Sequence, residues 1–376
     1  MTALVQLVPG LLPALNGVGD YGLVLARALR GTIGLQSLFL VADPTRESEE
    51  CIDGFPVRTL VTRSSYDLQR ALIEAGSQAE SPTILLHMSA YGYARRGCPT
   101  WLVDGLECWK TADPGRRLIT IFHELYAFGP PWRSEFWLSP LQRAIIARLA
   151  RLSDSALTNT QRYRHVLERY DPSKKNRILV LPVFSNVGEP RDLPGLSVRK
   201  RRIVLFGGAH TRARGYARGR TCLEAACSVL GIEEILDIGP NAPSVPEMVA
   251  GVPIRQMGRR SAAEVSDILK ESLAGFLEYS PAFLAKSGVF ASYAAHGVLP
   301  ICPSQDGSED DGIVCGRHYW SGPRRSCPPE SSSLQRIADG AIEWYRNHCL
   351  DRHLAVVAQV CTAREIPMLG SQCPVD

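Results

Sequence analysis

Several features that would assign a protein class at once are absent from this sequence. The 11 cysteines include no Cys-x-x-Cys pair, keep no regular spacing and are odd in number, which argues against a disulfide framework or a structural zinc site. No apolar run approaches the ~20 residues of a membrane-spanning helix, and the N-terminus lacks a signal-peptide pattern. We therefore expect a cytoplasmic protein, either freely diffusing or held peripherally at the inner face of a membrane.

A large excess of charge of one sign is also missing. The 42 Lys and Arg residues nearly balance the 38 Asp and Glu residues, so the net charge of +4 gives no reason to expect a nucleic-acid partner. Hydrophobic residues make up 45% of the chain, which is typical of a globular protein. Because 376 residues exceed the size at which one hydrophobic core usually keeps growing, we expect two domains.

The hydrophobic pattern predicts strands that alternate with helices. Short apolar runs and amphipathic segments alternate over residues 3–182, a polar stretch then ends in the basic run 199–202, and the alternation resumes at Ile203. This rhythm is typical of α/β folds, and its two halves predict two Rossmann-like domains that face a central cleft. The predicted parts are an N-terminal domain at 1–185, a linker at 186–202, a second domain at 203–345, and a C-terminal helical segment and tail at 346–376 that packs back on the first domain.

A glycine-rich loop near the N-terminus admits two interpretations. Gly17, Gly19 and Gly22 match the Gly-x-Gly-x-x-Gly spacing of dinucleotide-binding folds, and Asp43 follows at the distance expected for a ribose-binding carboxylate. The first glycine of that motif should follow its strand directly, whereas here residues 9–16 lie between them. One interpretation is an NAD-dependent dehydrogenase. The other is a longer loop whose glycines allow close approach of the backbone to a phosphate.

The segment from Pro281 to Cys302 predicts an anion site. Lys286, Ser287 and Gly288 stand where a helix should begin, so free N–H groups, the helix dipole and an ammonium group are directed to one small volume. Gly297 should end this helix before a buried strand. A phosphate group fits such a site.

Short motifs follow one another along most of the chain in a distinctive order. They are Asn16-Gly17-Val18-Gly19-Asp20-Tyr21, Tyr91-Gly92-Tyr93-Ala94-Arg95-Arg96-Gly97, Ile119-Thr120-Ile121-Phe122-His123-Glu124, Gly129-Pro130-Pro131-Trp132, Ala156-Leu157-Thr158-Asn159-Thr160, Val204-Leu205-Phe206-Gly207-Gly208, Gln256-Met257-Gly258, and Lys286 to Gly297. In this order they resemble the two-domain GT-B glycosyltransferases, specifically the retaining, glycogen-synthase-like family four and its bacterial exopolysaccharide group.

The resemblance implies a transfer reaction without a cofactor. A hexosyl group would move from a nucleotide diphosphate sugar, UDP-linked such as UDP-glucose, to a polysaccharide or lipid-linked oligosaccharide acceptor. Cations and N–H groups placed around the leaving diphosphate stabilise the charge that develops on its oxygens. The sequence has no Asp-x-Asp motif of the metal-dependent transferases, so we expect no metal.

The resemblance also implies roles for individual residues. Catalytic roles fall on His123, Arg214 and Lys286. Donor binding falls on Gly17, Gly19, Gly208, Arg212, Arg214, Met257, Gly258, Lys286, Ser287, Gly288 and Ser292. The acceptor side is expected at His87, Tyr91 and Glu124.

The sequence departs from the family pattern at three positions. Ala209 occupies the position of an arginine that binds the donor diphosphate, and Leu284 and Ser292 occupy the positions of two glutamates around the donor sugar and ribose. A serine hydroxyl cannot accept two ribose hydrogen bonds as a carboxylate does. A subunit that binds a nucleotide sugar or a glycan without catalysis is therefore a further alternative.

Aromatic and basic residues in the first half favour a membrane-contacting surface at which a lipid-linked acceptor would lie. Packing of the aromatic residues in a core is the competing interpretation. The residues are Trp101, Trp109, Trp132, Phe136 and Trp137, with Arg133, Arg143, Arg148 and Arg151.

Overall fold

A computed structural model describes residues 3–11, 17–46, 50–76, 83–126, 132, 134–304, 309–323 and 330–362. The contacts divide the chain into two units. The first contains the chain up to Leu181 together with the segment from His353 onward, and the second contains Pro182–Arg352. Each unit is a largely parallel sheet accompanied by helices, so the predicted α/β class with two Rossmann-like domains is confirmed.

The first unit alternates strands with helices. Its strands are β1 (Ala3–Val8), β2 (Gln36–Val41), β3 (Cys51–Ile52), β4 (Phe55–Thr59), β5 (Thr83–Ser89), β6 (Arg117–Glu124), β7 (Ser155–Thr158) and β8 (Leu179–Val180). Its helices are α1 (Gly17–Ile33), α2 (Ser65–Gly76), α3 (Ala90–Tyr93), α4 (Thr100–Thr111), α5 (Ser134–Leu152) and α6 (Gln161–Tyr170).

The strand order of the first sheet is β3-β4-β2-β1-β5-β6-β7-β8, and only β3 runs antiparallel to its neighbour among the described strands. The chain moves outward from β1 to β2 and β4, then returns to continue on the other side with β5. Every residue of β5 is buried, as expected for a central strand covered on both faces. The order thus reverses between β1 and β5, and their carboxyl ends mark a ligand-binding position of open α/β sheets.

The second unit repeats this plan. Its strands are β9 (Lys200–Phe206), β10 (Glu234–Ile238), β11 (Met248–Val249), β12 (Val252–Gly258), β13 (Ser272–Phe276) and β14 (Leu299–Ile301), in the order β11-β12-β10-β9-β13-β14. Its helices are α7 (Ala209–Arg218), α8 (Arg220–Leu230), α9 (Ala262–Glu271), α10 (Gly288–Ala295) and α11 (Ser331–Arg346). The order reverses between β9 and β13, so the loops after these two strands are its counterpart position.

The last described helix, α12 (Leu350–Thr362), starts in the second unit and belongs to the first from His353 onward. The guanidinium of Arg117, at the start of β6, donates hydrogen bonds of 2.9 and 3.0 Å to the carbonyls of Val360 and Cys361. These bonds satisfy carbonyls of the last helical turn, which have no partner within the helix. None of the described helices is both long and apolar enough to span a membrane.

The structure corrects the predicted linker at 186–202. Leu196 is buried in the core of the second unit, and Lys200, Arg201 and Arg202 already form the start of β9. Arg199 is also buried, and its guanidinium donates to the carbonyls of Pro194, Leu269, Ser272 and His296. The basic run therefore contains a structural arginine that ties the loop before β9 to α9 and to the end of α10.

The centre of the second sheet requires a residue without a side chain. A Cβ atom on Gly275 would lie 2.5 Å from the Cδ1 and Cζ atoms of the Tyr293 ring. The ring cannot move aside easily because it is fully buried and its hydroxyl donates to the carbonyls of Val204 and Phe276. The Tyr293 ring occupies the space that the absent side chain of Gly275 leaves, and its hydroxyl links α10 to β9 and β13.

We therefore expect Gly275→Ala to lower the free energy of unfolding by about 3 kcal/mol, and the melting temperature by roughly 6–12 °C, because overpacking displaces a buried ring. Thermal and urea unfolding measure the effect. Gly31→Ala is the matched control, since a Cβ there meets nothing within 4 Å and α1 should gain about 0.5–1 kcal/mol. Equal melting temperatures for the two variants would contradict this account.

Candidate functional site

The loop after β9 approaches the loop after β10 backbone to backbone. Gly207 has a φ of 113°, and its N–H donates to the Ile238 carbonyl at 3.1 Å. Gly239 has a φ of 148°, and a Cβ there would collide with the Gly207 carbonyl. Glycine suits both positions because each has a positive φ, and at Gly239 the close backbone contact excludes a side chain as well. The turn places Gly208 at the start of α7.

The N-terminus of α7 can bind an anion. Gly208 is its N-cap residue and has no side chain to accept hydrogen bonds from the first-turn N–H groups. Arg214 projects from the same helix, is half-exposed, and lies with its Nε atom 3.7 Å from a carboxylate oxygen of Glu278, which follows β13. N–H groups, the helix dipole and a guanidinium therefore lie where the strand order reverses. Gly208 and Arg214 thus lie beside this switch point, and their contact with a donor diphosphate stays a prediction.

Arg212 has a different role from the predicted one. It is only 2% exposed, and its guanidinium contacts Asp237, the Pro240 carbonyl and the Gly207 carbonyl. The Tyr216 hydroxyl donates to the other oxygen of Asp237 at 2.9 Å. Arg212 is thus a buried counterion that joins the loops after β9 and β10, and the assignment of a donor phosphate to it is corrected.

The N-terminus of α10 forms as predicted. Ser287 is the N-cap, and its hydroxyl accepts a hydrogen bond from the Phe290 N–H at 3.2 Å. Lys286 ends the preceding turn, Pro281–Lys286, with its ammonium 5.2 Å from the centre of the Phe283 ring. The surroundings of Gly288 are open, since a Cβ there would meet no atom within 4 Å. Space for a ligand therefore exists beside the helix start.

Ser292 does not face a ligand. Its side chain is fully buried and its hydroxyl donates to the Gly288 carbonyl at 2.7 Å, while the Ser185 hydroxyl donates to it at 3.2 Å. Leu284, which the resemblance aligns with the other glutamate, is 1% exposed and packs in the core. The prediction that Ser292 contacts the donor is corrected, because this serine fastens the segment around Ser185 to α10.

Met257 and Gly258 stand at the carboxyl end of β12, on the same edge of the sheet. Met257 is half-buried against the core. Gly258 has a φ of 67°, and its carbonyl accepts a hydrogen bond from the Gly239 N–H at 2.9 Å. Their contact with a nucleotide base stays a prediction.

In the first unit, the glycines of the N-terminal loop have separate roles. Gly19 lies against the backbone of Gly10, with which a Cβ would collide, so it permits α1 to pack on the loop after β1. Gly17 has no such neighbour and remains exposed at the start of α1. Asn16, which the sequence comparison with the family used, lies outside the described residues, as do Gly129, Pro130, Pro131 and Arg133.

His87 and His123 meet at the neighbouring ends of β5 and β6. Their rings stack, with 3.2 Å between His87 Nδ1 and His123 Nε2. His87 is fully buried, and burial lowers its pKa to about 3, so the ring is neutral at physiological pH. Its predicted contact with an acceptor is therefore corrected. His123 is 7% exposed and lies closer to the strand terminus.

Tyr91 and Glu124 lie beyond the histidines on the surface. Tyr91 is 38% exposed, and its hydroxyl accepts a hydrogen bond from the Gln142 side chain at 3.2 Å. Glu124 is exposed and accepts from the Ser89 hydroxyl at 3.2 Å. Both are accessible to an acceptor, so their assignment to its side stays a prediction.

The exposed apolar residues of the predicted membrane surface belong to one region. Trp132 is 83% exposed, and Phe136, Trp137 and Leu141 on α5 are 44%, 73% and 45% exposed. By contrast, Trp109 is fully buried, which corrects its inclusion. Trp101 is half-buried with its ring 6.3 Å from that of Tyr93, and Arg148 pairs with Asp104 and Glu107.

Sequence reasoning did not select Asp20 as a site residue. It lies in the first turn of α1, where carboxylates are favoured by the helix dipole. Burial nevertheless raises its pKa to about 6, with Arg27 acting weakly in the opposite direction. A carboxyl group that titrates near neutral pH beside the glycine loop is a candidate for proton transfer or for binding a sugar hydroxyl. The signal in the sequence was its place two residues before Gly22, inside the motif.

No family model matches this chain, and no curated protein matches it. Solved structures do resemble it. HepE of Anabaena, crystallised with UDP-glucose, is 11% identical, aligns over 96% of this chain and 99% of its own, and gives a TM-score of 0.62. WaaG, a glycosyltransferase involved in lipopolysaccharide biosynthesis, is 11% identical over 96% and 100% of the two chains, with a TM-score of 0.59.

A third similar structure is a putative UDP-N-acetylglucosamine 2-epimerase of Listeria monocytogenes, 13% identical over 96% of each chain with a TM-score of 0.54. At these identities the likeness establishes the fold. The chain has the GT-B fold. Since that fold also serves an enzyme described as an epimerase, the reaction has to be argued from the residues of the site.

Among the residues that the structure describes, no group of three or more His, Cys, Asp or Glu side chains could hold a metal ion.

The raised pKa of Asp20 should make the stability of the protein depend on pH. Because the folded protein binds this proton more tightly than the unfolded chain, the free energy of unfolding falls as the pH rises from about 4 to about 6 and stays lower above that range. Asp20→Asn should therefore raise the melting temperature at pH 7.5, by roughly 2–4 °C for about 1 kcal/mol after allowance for partial exposure.

The gain from Asp20→Asn should shrink toward zero near pH 4, where the native carboxyl is already protonated. Thermal unfolding of both proteins across this range measures it. Asp192→Asn, at an exposed position of the second unit, serves as the control. A gain that did not depend on pH would contradict the assignment of the raised pKa.

Proposed function

We propose that this protein is a retaining, metal-independent glycosyltransferase. It moves a hexosyl group from a nucleotide diphosphate sugar, UDP-linked such as UDP-glucose, to a polysaccharide or lipid-linked oligosaccharide in exopolysaccharide synthesis. The observation that carries the proposal is the cationic edge of the second sheet. There the uncapped start of α7, Arg214, Lys286 and the start of α10 lie beside the reversal of strand order.

The chemistry of such an edge suits a departing nucleoside diphosphate. Bond cleavage at the anomeric carbon leaves negative charge on the diphosphate oxygens, and preplaced donors stabilise this charge more strongly than they stabilise the bound sugar. Arg214 and Lys286 supply positive charge, and the two helix starts supply N–H groups. The UDP-glucose bound to HepE, a protein of similar fold, supports a UDP-linked donor for this chain.

The first unit would handle the acceptor. His123 lies near the surface at the end of β6, and Glu124 and Tyr91 are exposed on the same edge of the sheet. An imidazole and a carboxylate at this edge can accept hydrogen bonds from sugar hydroxyls. Gly17 leaves exposed backbone at the start of α1, whereas Gly19 serves the packing of α1.

Binding without catalysis is the second candidate. It is favoured by Leu284 and Ser292, both buried where the family places its two glutamates. The dehydrogenase alternative has weaker support, because the Asp43 carboxylate accepts hydrogen bonds from the N–H and the hydroxyl of Thr45, which competes with a ribose. Both alternatives are resolved by the same experiment.

We expect UDP and UDP-glucose to raise the melting temperature, NAD to leave it unchanged, and UDP-glucose to be hydrolysed slowly in the absence of an acceptor. Arg214→Ala and Lys286→Ala should each reduce the affinity for UDP by roughly tenfold to a hundredfold, since each removes a charge-assisted hydrogen bond worth roughly 1.5–3 kcal/mol. Arg218→Ala is the matched control, because this arginine is exposed one turn further along α7. GDP-mannose tests the choice of base.

The outcomes separate the candidates. Stabilisation by UDP with release of sugar supports the transferase. Stabilisation by UDP without hydrolysis of any donor, and without transfer of sugar to any acceptor, supports the binding subunit. A response to NAD alone refutes the proposal.

The acceptor would be reached at a membrane surface. Trp132, Phe136, Trp137 and Leu141 form an exposed apolar patch. Its contact with water is unfavourable, and insertion among lipid headgroups would remove that unfavourable free energy. Arg143 lies on the same helix and is exposed, with its guanidinium 5.4 Å from the centre of the Tyr126 ring. A basic residue beside exposed aromatics is typical of a peripheral membrane contact.

We expect the protein to sediment with vesicles that contain phosphatidylglycerol, and more weakly with phosphatidylcholine alone. Trp137→Ala should reduce the bound fraction severalfold because it removes the most exposed side chain of the patch on α5. Tyr66→Ala is the control, since Tyr66 is 69% exposed elsewhere in the same unit. An equal loss in both variants would argue against this patch as the contact.

A further inference from the structure

A buried chain of hydrogen bonds runs across three strands of the first sheet to His123. Ser37 on β2, Gln6 on β1 and His87 on β5 form its links. The Gln6 amide nitrogen donates to the Ser37 hydroxyl at 2.9 Å, and its carbonyl oxygen lies 2.9 Å from His87 Nε2. His87 Nδ1 then lies 3.2 Å from His123 Nε2. Gln6 and His87 are fully buried, so water cannot substitute for either link.

The number of protons in this chain is limited. A neutral imidazole has one N–H donor and one acceptor nitrogen, so His87 can donate along only one of its two hydrogen bonds. The Gln6 amide nitrogen faces Ser37, which leaves its carbonyl oxygen to accept from His87 Nε2. His87 Nδ1 then carries the lone pair and accepts a hydrogen from His123 Nε2. The orientation of the Gln6 amide therefore determines which nitrogen of His123 carries the hydrogen.

We propose that Gln6 and His87 are positioning residues that fix His123 in the tautomer protonated at Nε2. In neutral His123 the nitrogen turned away from His87, Nδ1, is then a hydrogen-bond acceptor. The consequence for the reaction rests on the proposed function: a group that forms a hydrogen bond with His123 Nδ1 has to donate the hydrogen. A residue that holds a tautomer in this way acts through His123 and touches no substrate itself.

The packing around the chain keeps the two rings in place. A Cβ on Gly22 would lie 3.3 Å from the Gln6 carbonyl oxygen and 3.4 Å from His87 Nε2, so α1 approaches this pair closely. The Tyr21 ring meets the His123 ring edge to face, with 4.8 Å between centres. The Tyr21 hydroxyl shares a hydrogen bond of 2.7 Å with His353 Nδ1 on α12. Neither ring can turn over without disturbing these contacts.

Histidine tautomers can be measured directly. Long-range nitrogen–proton correlation spectra of the ¹⁵N-labelled full chain distinguish Nε2–H from Nδ1–H, and the spectra of His123→Asn and His87→Asn assign the two signals. We expect the Nε2–H form for both histidines in the wild type at pH 7.5. An Nδ1–H form of His123 would overturn the proposal.

Two substitutions of Gln6 should have opposite effects on the tautomer of His123. Gln6→Glu keeps an acceptor for His87 Nε2 and should preserve the Nε2–H form of His123. Gln6→Met removes the acceptor at nearly constant volume, so His87 can place its proton on Nδ1 and convert His123 in part to the Nδ1–H form. Ser37→Ala frees the amide to turn over and provides a second route to the same change. An unchanged His123 tautomer in both Gln6→Met and Ser37→Ala would refute the proposal.

Kinetics provide a second measurement. Gln6→Met should lower kcat for transfer or donor hydrolysis by about tenfold with little change in the KM for the donor, and Gln6→Glu should restore most of kcat. A purely structural role would instead lower the melting temperature without changing the tautomer. The spectra need no turnover, so failure of the proposed function would leave the tautomer assignment as a separate result.

Discussion

The close approach of two backbone loops organises the cationic edge of the second unit. The Gly207 carbonyl and Gly239 come so near that a side chain on Gly239 would collide, and Arg212 fills the adjoining space with contacts to both loops. Arg212 and Asp237 are both buried, and each neutralises the charge of the other. With these loops fixed, α7 begins at a defined position. The location of its N–H groups and of Arg214 follows from this one contact.

Two arginines on α7 illustrate how a fold divides one residue type between structure and chemistry. Arg212 and Arg214 are two positions apart, so they point to different sides of the helix. Arg212 is 2% exposed, whereas the Arg214 side chain is 46% exposed. The buried guanidinium holds the loops, and the exposed one remains accessible to an anion. Ser292 shows the same principle, since the resemblance placed it at the donor, whereas its buried hydroxyl serves packing.

The sequence predicted those features that depend on local pattern. Periodicity gave the α/β class, and the small residues after Lys286 predicted the start of α10 and its cap. Features that depend on distant partners were not predictable. Arg199 resembled a solvated linker residue because its distant carbonyl partners come from two other segments, the end of α9 and the end of α10. The Gly- and Arg-rich sequence of α7 has little apolar periodicity that could predict a helix. Gln6 and His87 are 81 residues apart, so no local pattern could pair them.

The return of α12 to the first unit has a consequence for how the protein is made. Arg117 binds carbonyls at the end of this helix, and His353 at its start shares a hydrogen bond with Tyr21. The first unit is therefore assembled from two segments separated by the whole second unit. On the ribosome, residues up to Leu181 emerge early but cannot complete their packing until the C-terminal helix has been synthesised. Tyr21, beside His123, thus gains its hydrogen bond to His353 only after the second unit has been synthesised.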